Sequence, residues 1–173
     1  MARCPRGTPR LFHRRPGFVR ACPHLCGEPL IRWGGTVFTQ GELEAGKAEG
    51  TVAIDEHLYL GDPAGAWDRG RNDVGDFINH SCDGNLWMAD EVTLAARRAI
   101  VADEELTIDY ALFKGDDTSV ARFVCHCGSP HCRTRVTGRD WRLPELHERY
   151  SGHFSPFLNR RIAHRVAQED THR

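Results

Sequence analysis

Three cysteines fall within eight residues late in the chain: Cys125-His126-Cys127-Gly128-Ser129-Pro130-His131-Cys132. The spacing is C-x-C-x4-C, with Gly, Ser and Pro bending the backbone between the second and third thiols. Three thiolates so placed can fill three corners of a Zn²⁺ tetrahedron. The fourth corner must come from elsewhere. Cys82, alone in the middle of the sequence, is the remote candidate, and His126 and His131 are the near ones. An ion closed by four protein ligands is structural and performs no hydrolysis. It would tie the C-terminal segment to mid-chain, with an apparent binding energy of ~10 kcal/mol or more.

The remaining cysteines, Cys4, Cys22 and Cys26, bring the total to an odd seven. The first segment lacks the apolar stretch of a secretory signal. The expected setting is therefore a reducing, cytoplasmic one, where close cysteines read as metal ligands before disulfides. For the same reason, Asn79-His80-Ser81 is discounted as a glycosylation site, although it matches the sequon.

A chain of 173 residues is long enough for one domain with a real core. Hydrophobic content of 40% and charged content of 27% are those of a folded, water-soluble chain. The longest uncharged apolar runs fall far short of the ~20 residues of a spanning helix, so no membrane association is expected. The net charge of −1 hides an asymmetry. Residues 1–26 hold six arginines and no acid, which leaves −7 on the rest. An acidic body argues against direct nucleic-acid binding through phosphates and suits a basic partner such as a lysine-rich peptide. A merely solvated acidic surface is the other reading. No feature asks for an oligomer, and a monomer is expected.

Residues 1–26, rich in Arg, Pro, His and Cys, form an atypical basic segment: a flexible tail, a transit peptide or a misread start. Beyond it, Pro29–Trp33 and Thr36–Thr39 read as two strands around a Gly34-Gly35 turn. A helical turn is expected within 42–50. Strands are expected at Val52–Ile54 and His57–Leu60, with a turn at Gly61–Gly65. Asn79–Asn85 is dense in loop formers. Strands follow at Val92–Ala96 and Leu106–Tyr110, joined through Ala102-Asp103-Glu104, where Asp tolerates a left-handed backbone. Leu143, Leu146 and Tyr150 share a helical face that Gly152 ends. Ser155-Pro156 reads as an N-cap with Pro at the first helical position, above Leu158, Ile162 and Val166. The fold class is mainly β (α+β), with small sheets and helices confined to the C-terminal end.

Three segments carry chemistry: Asp76-Phe77-Ile78-Asn79-His80-Ser81-Cys82-Asp83-Gly84-Asn85, Glu105-Leu106-Thr107-Ile108-Asp109-Tyr110, and the cysteine cluster. In this order and spacing they resemble the SET-domain protein-lysine N-methyltransferases with a post-SET zinc loop. The resemblance covers about residues 27–141. It implies a SET-domain fold of several small curved sheets: SET domain at 27–114, post-SET zinc loop at 115–141 and a helical extension at 142–173.

It also implies S-adenosyl-L-methionine as cofactor, structural Zn²⁺, and a lysine-containing protein or peptide as substrate. By the same resemblance, Asn79 and His80 hold the cofactor, largely through backbone, with His126 against the adenine. Tyr110 is the catalytic residue and a cofactor contact. Cys82 joins Cys125, Cys127 and Cys132 on zinc. Trp33, in a Trp-Gly-Gly that looks like the family's Tyr-x-Gly, lines the lysine channel and the cofactor site, and Ile108 and Phe123 complete the channel. Ile108 offers no hydroxyl to hold a water, so addition beyond a single methyl group is expected.

The sequence departs from the family in two places. The early Gly-x-Gly is reduced to Gly17, so part of the cofactor wall and a core strand are expected to be missing. That departure raises the alternative of a catalytically impaired, zinc-stabilised interaction module. A methyltransferase acting on a small molecule is a third reading. Gly84 stands where Pro is usual, a change expected only to loosen a turn.

Overall fold

In the computed structural model, the described residues are 8–12, 15–19, 23–66, 77–115 and 123–171, with β1 and β2 described by their backbone. The strands run β1 Thr8–Phe12, β2 Arg15–Val19, β3 Pro29–Arg32, β4 Thr36–Thr39, β5 Ala48–Asp55, β6 Leu58–Pro63, β7 Asn79–His80, β8 Leu86–Met88, β9 Thr93–Ala96, β10 Glu105–Ile108, β11 Phe123–Val124 and β12 Arg135–Val136. The helices are α1 Gln40–Glu44, α2 Pro144–Arg149 and α3 Pro156–Thr171, with 3-10 turns at Tyr110–Leu112 and Asp140–Arg142. Among the described residues no helix is long and apolar enough to cross a membrane. Asp76, Cys4 and Cys22 lie outside the described residues.

The largest sheet has the order β1-β2-β10-β8-β9-β3, with β7 on β10. A second sheet has the order β4-β6-β5, and β11 pairs with β12. Polar side chains fix the turns. Asp90 Oδ1 accepts from Val92 N at 2.8 Å and Thr93 N at 2.7 Å, closing the β8–β9 hairpin. Asp103 adopts φ 63° as expected, and leads into β10. Between the sheets lies a core in which Leu86, Leu94, Ala96, Leu106, Ile108 and Leu112 are wholly buried.

Several expectations need correction. The Gly34-Gly35 step does not fold β3 onto β4: β3 pairs with β9, and β4 with β6. Gly35, at φ 131°, carries the chain from one sheet to the other. A Cβ there would stand 2.5 Å from Gly61 O, so this crossing requires glycine. The helical turn starts earlier than expected, at Gln40, because Thr39 and Glu42 form a reciprocal capping box. Strand β6 runs on to Pro63, into the expected turn, which is left with its last residues only.

Within the basic N-terminal segment, β1 and β2 pair antiparallel, and β2 joins β10 through Val19↔Glu105 and Phe18↔Leu106. A strand therefore lies where one was expected to be missing. β8 was not foreseen, because its three residues sit directly behind a run of loop formers.

At the C-terminal end α2 buries Leu146 and sets Tyr150 at its cap, and Gly152 turns the chain at φ 76°. Pro156 opens α3, which sends Phe157 and Leu158 into the core, while Val166 is half exposed beyond it. Ser155 precedes the helix as expected, but its buried hydroxyl has no hydrogen-bond partner among the described residues. It therefore does not cap α3.

Gly84 also proves tighter than expected. A Cβ at that position would meet Ile108 Cα and Thr107 O, both at 2.7 Å. The loop backbone thus lies directly on β10. Gly84→Ala is expected to cost about 1–3 kcal/mol of folding stability. Denaturant unfolding checks this, and an unchanged midpoint would contradict the close approach.

Candidate functional site

The cysteine segment folds back onto the loop after β7. The Sγ atoms of Cys82, Cys125, Cys127 and Cys132 all lie within 4.8 Å of one another, with Cys82 and Cys125 buried. A tetrahedron with 2.3 Å Zn–S bonds has sulfur–sulfur edges of about 3.8 Å. The Cys82–Cys125 separation is 3.8 Å. Four thiolates at this spacing fit zinc.

Their acidities differ. Burial pushes Cys82 up to about 11, and it pushes Cys125 up as well. Cys127 is also raised by burial, but backbone donors led by the Ser129 N–H bring it down to about 7.

One residue after the last thiol, Arg133 turns inward. Its guanidinium grips Asp109 at 2.6 and 2.7 Å and Asp140 at 2.8 Å. Asp109 is wholly buried, and its charge, set against the burial penalty, keeps Arg133 firmly protonated. Asp109 also accepts from Ala111 N at 3.1 Å, capping the turn that begins at Tyr110. Tyr150 OH approaches Cys82 O at 3.4 Å, and Arg149 donates to the same carbonyl at 3.0 Å.

Tyr110 sits at the meeting point. Its hydroxyl donates to Ile78 O at 2.9 Å, which leaves oxygen lone pairs able to accept. Its backbone N–H donates to His80 Nδ1 at 3.2 Å. Burial lowers the His80 pKa to about 4, against the pull of Asp109, so the ring is neutral at pH 7. With Nδ1 accepting, the proton lies on Nε2, which faces Cys82 Sγ at 3.3 Å. The rings of His80, Tyr110 and Phe123 pack edgewise, with centroids 5.2 to 6.0 Å apart.

On the other side of Tyr110 lies a cavity of about 480 Å³, within the range of small-ligand sites. Trp33, Ile108, Tyr110 and Phe113 line it, with Glu49 and Asp62 on its β5–β6 wall. Trp33 packs against Phe113 at 5.0 Å, and Phe113 against Tyr110 at 5.3 Å.

Of the residues expected at the site, Trp33, Ile108 and Tyr110 share this cavity. Asn79 and His80 run parallel to β10 at Thr107 and Ile108, and the Asn79 amide donates to Glu105 at 2.8 Å. Phe123 packs with the thiol group and is not among the residues lining the cavity. His126 is exposed beside the thiols and is likewise not among them. Phe113, Asp109 and Arg133 were missed. Phe113 lies three residues beyond Tyr110, and a 3-10 turn sets such residues on one side, which was the available signal.

Cys82→Ser is expected to reduce zinc from one ion per chain to near none and to expose residues 123–136 to rapid amide exchange. Elemental analysis and hydrogen exchange check this, and full zinc content in the variant would contradict it.

A family model described as SET domain matches residues 23–111. Histone-lysine N-methyltransferase ash1 of Drosophila melanogaster is 30% identical over 135 residues, which is 72% of this chain and 6% of that protein. Histone-lysine N-methyltransferase met-2 of Caenorhabditis elegans is 35% identical over 77 residues, 38% of this chain and 6% of that one. The chain thus spans a small fraction of these relatives. The solved methyltransferase domain of human Histone-lysine N-methyltransferase SETMAR superposes with a TM-score of 0.56 at 20% identity, covering 73% of this chain and 55% of that one. KRYPTONITE, solved in complex with mCHH DNA, H3(1-15) peptide and SAH, gives a TM-score of 0.52 at 24% identity, covering 74% and 28%. The fold, the ordered segments and the family match together make this chain a member of the SET domain family.

Proposed function

We propose that this chain transfers a methyl group from S-adenosyl-L-methionine to the side-chain amine of a lysine in a protein substrate. The observation that carries the reading is the position of Tyr110, between the Asn79–His80 strand and a cavity lined in part by Trp33 and Phe113. The names of the relatives, histone-lysine N-methyltransferases, support it. Bound at Asn79 and His80, the cofactor would supply an electrophilic methyl on a positive sulfur.

This chain's residues have three tasks. The first is orientation, since an in-line displacement requires the amine lone pair to face the methyl carbon. Tyr110 performs it: with its own proton given to Ile78 O, the phenol oxygen accepts from an amine N–H. The second is a neutral amine. Deprotonating a lysine of ordinary pKa at pH 7.4 costs about 4 kcal/mol. Trp33, Ile108 and Phe113 on the cavity wall present apolar surface to the amine, which disfavours the ammonium by desolvation. The third is attraction. Glu49 and Asp62 on the cavity wall, set against the single cation Lys114 among the lining residues, favour a cationic residue.

Tritiated methyl transfer to a panel of basic proteins, histones included, tests the reading. Tyr110→Phe is expected to lower kcat by about 100-fold or more while the Kd for S-adenosylhomocysteine stays within about 3-fold. Undiminished turnover would contradict the role of Tyr110, and absence of cofactor binding would contradict the reaction. Mass spectrometry of the wild-type product is expected to show dimethyl- or trimethyllysine, since Ile108 leaves no hydroxyl at that wall; monomethyllysine alone at long times would overturn this.

A further inference from the structure

Two separate bridges join the thiol group to the turn that carries Tyr110. One is the His80 ring: Nδ1 takes the Tyr110 N–H at 3.2 Å, so the ring proton sits on Nε2, 3.3 Å from Cys82 Sγ. The other is Arg133. It follows Cys132 directly, its own N–H lies 3.4 Å from Cys82 Sγ, and its guanidinium holds both oxygens of Asp109, the residue before Tyr110. Asp109 then caps the turn through Ala111 N. Both bridges start at the same sulfur and end on the two residues that open the same turn.

We propose that Arg133 and the His80 side chain are positioning residues, which set the Tyr110 phenol from the thiolate site and in return steady Cys82 as a metal ligand. The inference rests on the function proposed above and extends it to residues that do not touch the reacting atoms.

The geometry assigns distinct work to each. The planar fork of Arg133 fixes Asp109 bidentately, and a lysine in its place would keep the charge and lose the fork. Asp140 takes the remaining Nε at 2.8 Å, so the guanidinium has one orientation. The His80 ring is packed against Tyr110 and Phe123 whichever nitrogens it carries. His80→Phe therefore keeps the packing and deletes both hydrogen bonds. Partners of this kind around a metal ligand commonly alter metal affinity by 10- to 100-fold when lost.

The test uses full-length Arg133→Lys and His80→Phe, each alone and combined with Tyr110→Phe. Each single variant is expected to lose about 10-fold in kcat, with cofactor KM within about 3-fold. On the Tyr110→Phe background the same changes are expected to add less than about 2-fold, because residues acting through one group are not additive. Zinc transfer to a chromogenic chelator is expected to be about 10-fold faster from each single variant than from the wild type. Losses that multiply on the Tyr110→Phe background, or that fall on KM rather than kcat, would overturn the proposal. If Arg133→Lys does not fold, His80→Phe carries the test. If the wild type transfers no methyl group, the proposed function fails, and the zinc-transfer rates decide this inference by themselves: unchanged rates overturn it.

Discussion

Four sulfurs, one from the middle of the chain and three from near its end, converge within 4.8 Å, and the rest of the site is arranged around that convergence. Cys82 and Cys125 are separated by 43 residues. Closing so long a loop has an entropic cost that grows slowly with length. The short β11–β12 ribbon, with two residues in each strand, buries little on its own account. A bound metal offsets that cost far more effectively than such a ribbon can, since structural zinc contributes ~10 kcal/mol or more. The thiol group is thus the clamp that brings Phe123 and Arg133 against the body of the domain.

The Arg133–Asp109 pair makes the clamp directional. A buried ion pair adds little net stability over a well-packed apolar pair, because desolvation consumes most of the Coulomb gain. Its value lies in geometry. The guanidinium fork meets both oxygens of the buried Asp109, and that pairing helps fix the start of the turn at Tyr110. The phenol is held a second time by Ile78 O and a third time by packing on His80 and Phe113. An orienting group restrained at backbone, ring and hydroxyl is pre-organised for positioning an amine.

The chemistry-bearing segments were legible in the sequence because they are contiguous and chemically distinctive: a C-x-C-x4-C cluster, an Asn-His pair and a Tyr closing an acidic strand. Strands β5 and β6 and the two C-terminal helices were legible from alternation, from helical spacing and from Gly152 and Pro156. Pairings between distant segments were less so. Nothing local in Gly34-Gly35 says that β3 and β4 enter different sheets; the partner strands β9 and β6 decide it. Gly84 read as a loosened turn because the crowding that excludes a side chain comes from Ile108, far along the sequence. The pairing of Arg133 with Asp109 had no local signal, since the two residues meet only once the metal loop has folded back. Phe113, which lines the cavity directly after the 3-10 turn, stood outside the quoted motifs and gave no strong periodic signal.

The identity of the fourth metal ligand tests this account most directly, because Cys82 is the one thiol of the four that belongs to the Asn-His segment. X-ray absorption at the zinc edge of the purified protein should show a first shell of four sulfurs at about 2.3 Å. A shell of three sulfurs and one imidazole nitrogen at about 2.0 Å would assign the fourth corner to a neighbouring histidine. Cys82 would then be free of the metal, and the metal's own tie to the Asn-His segment would be lost.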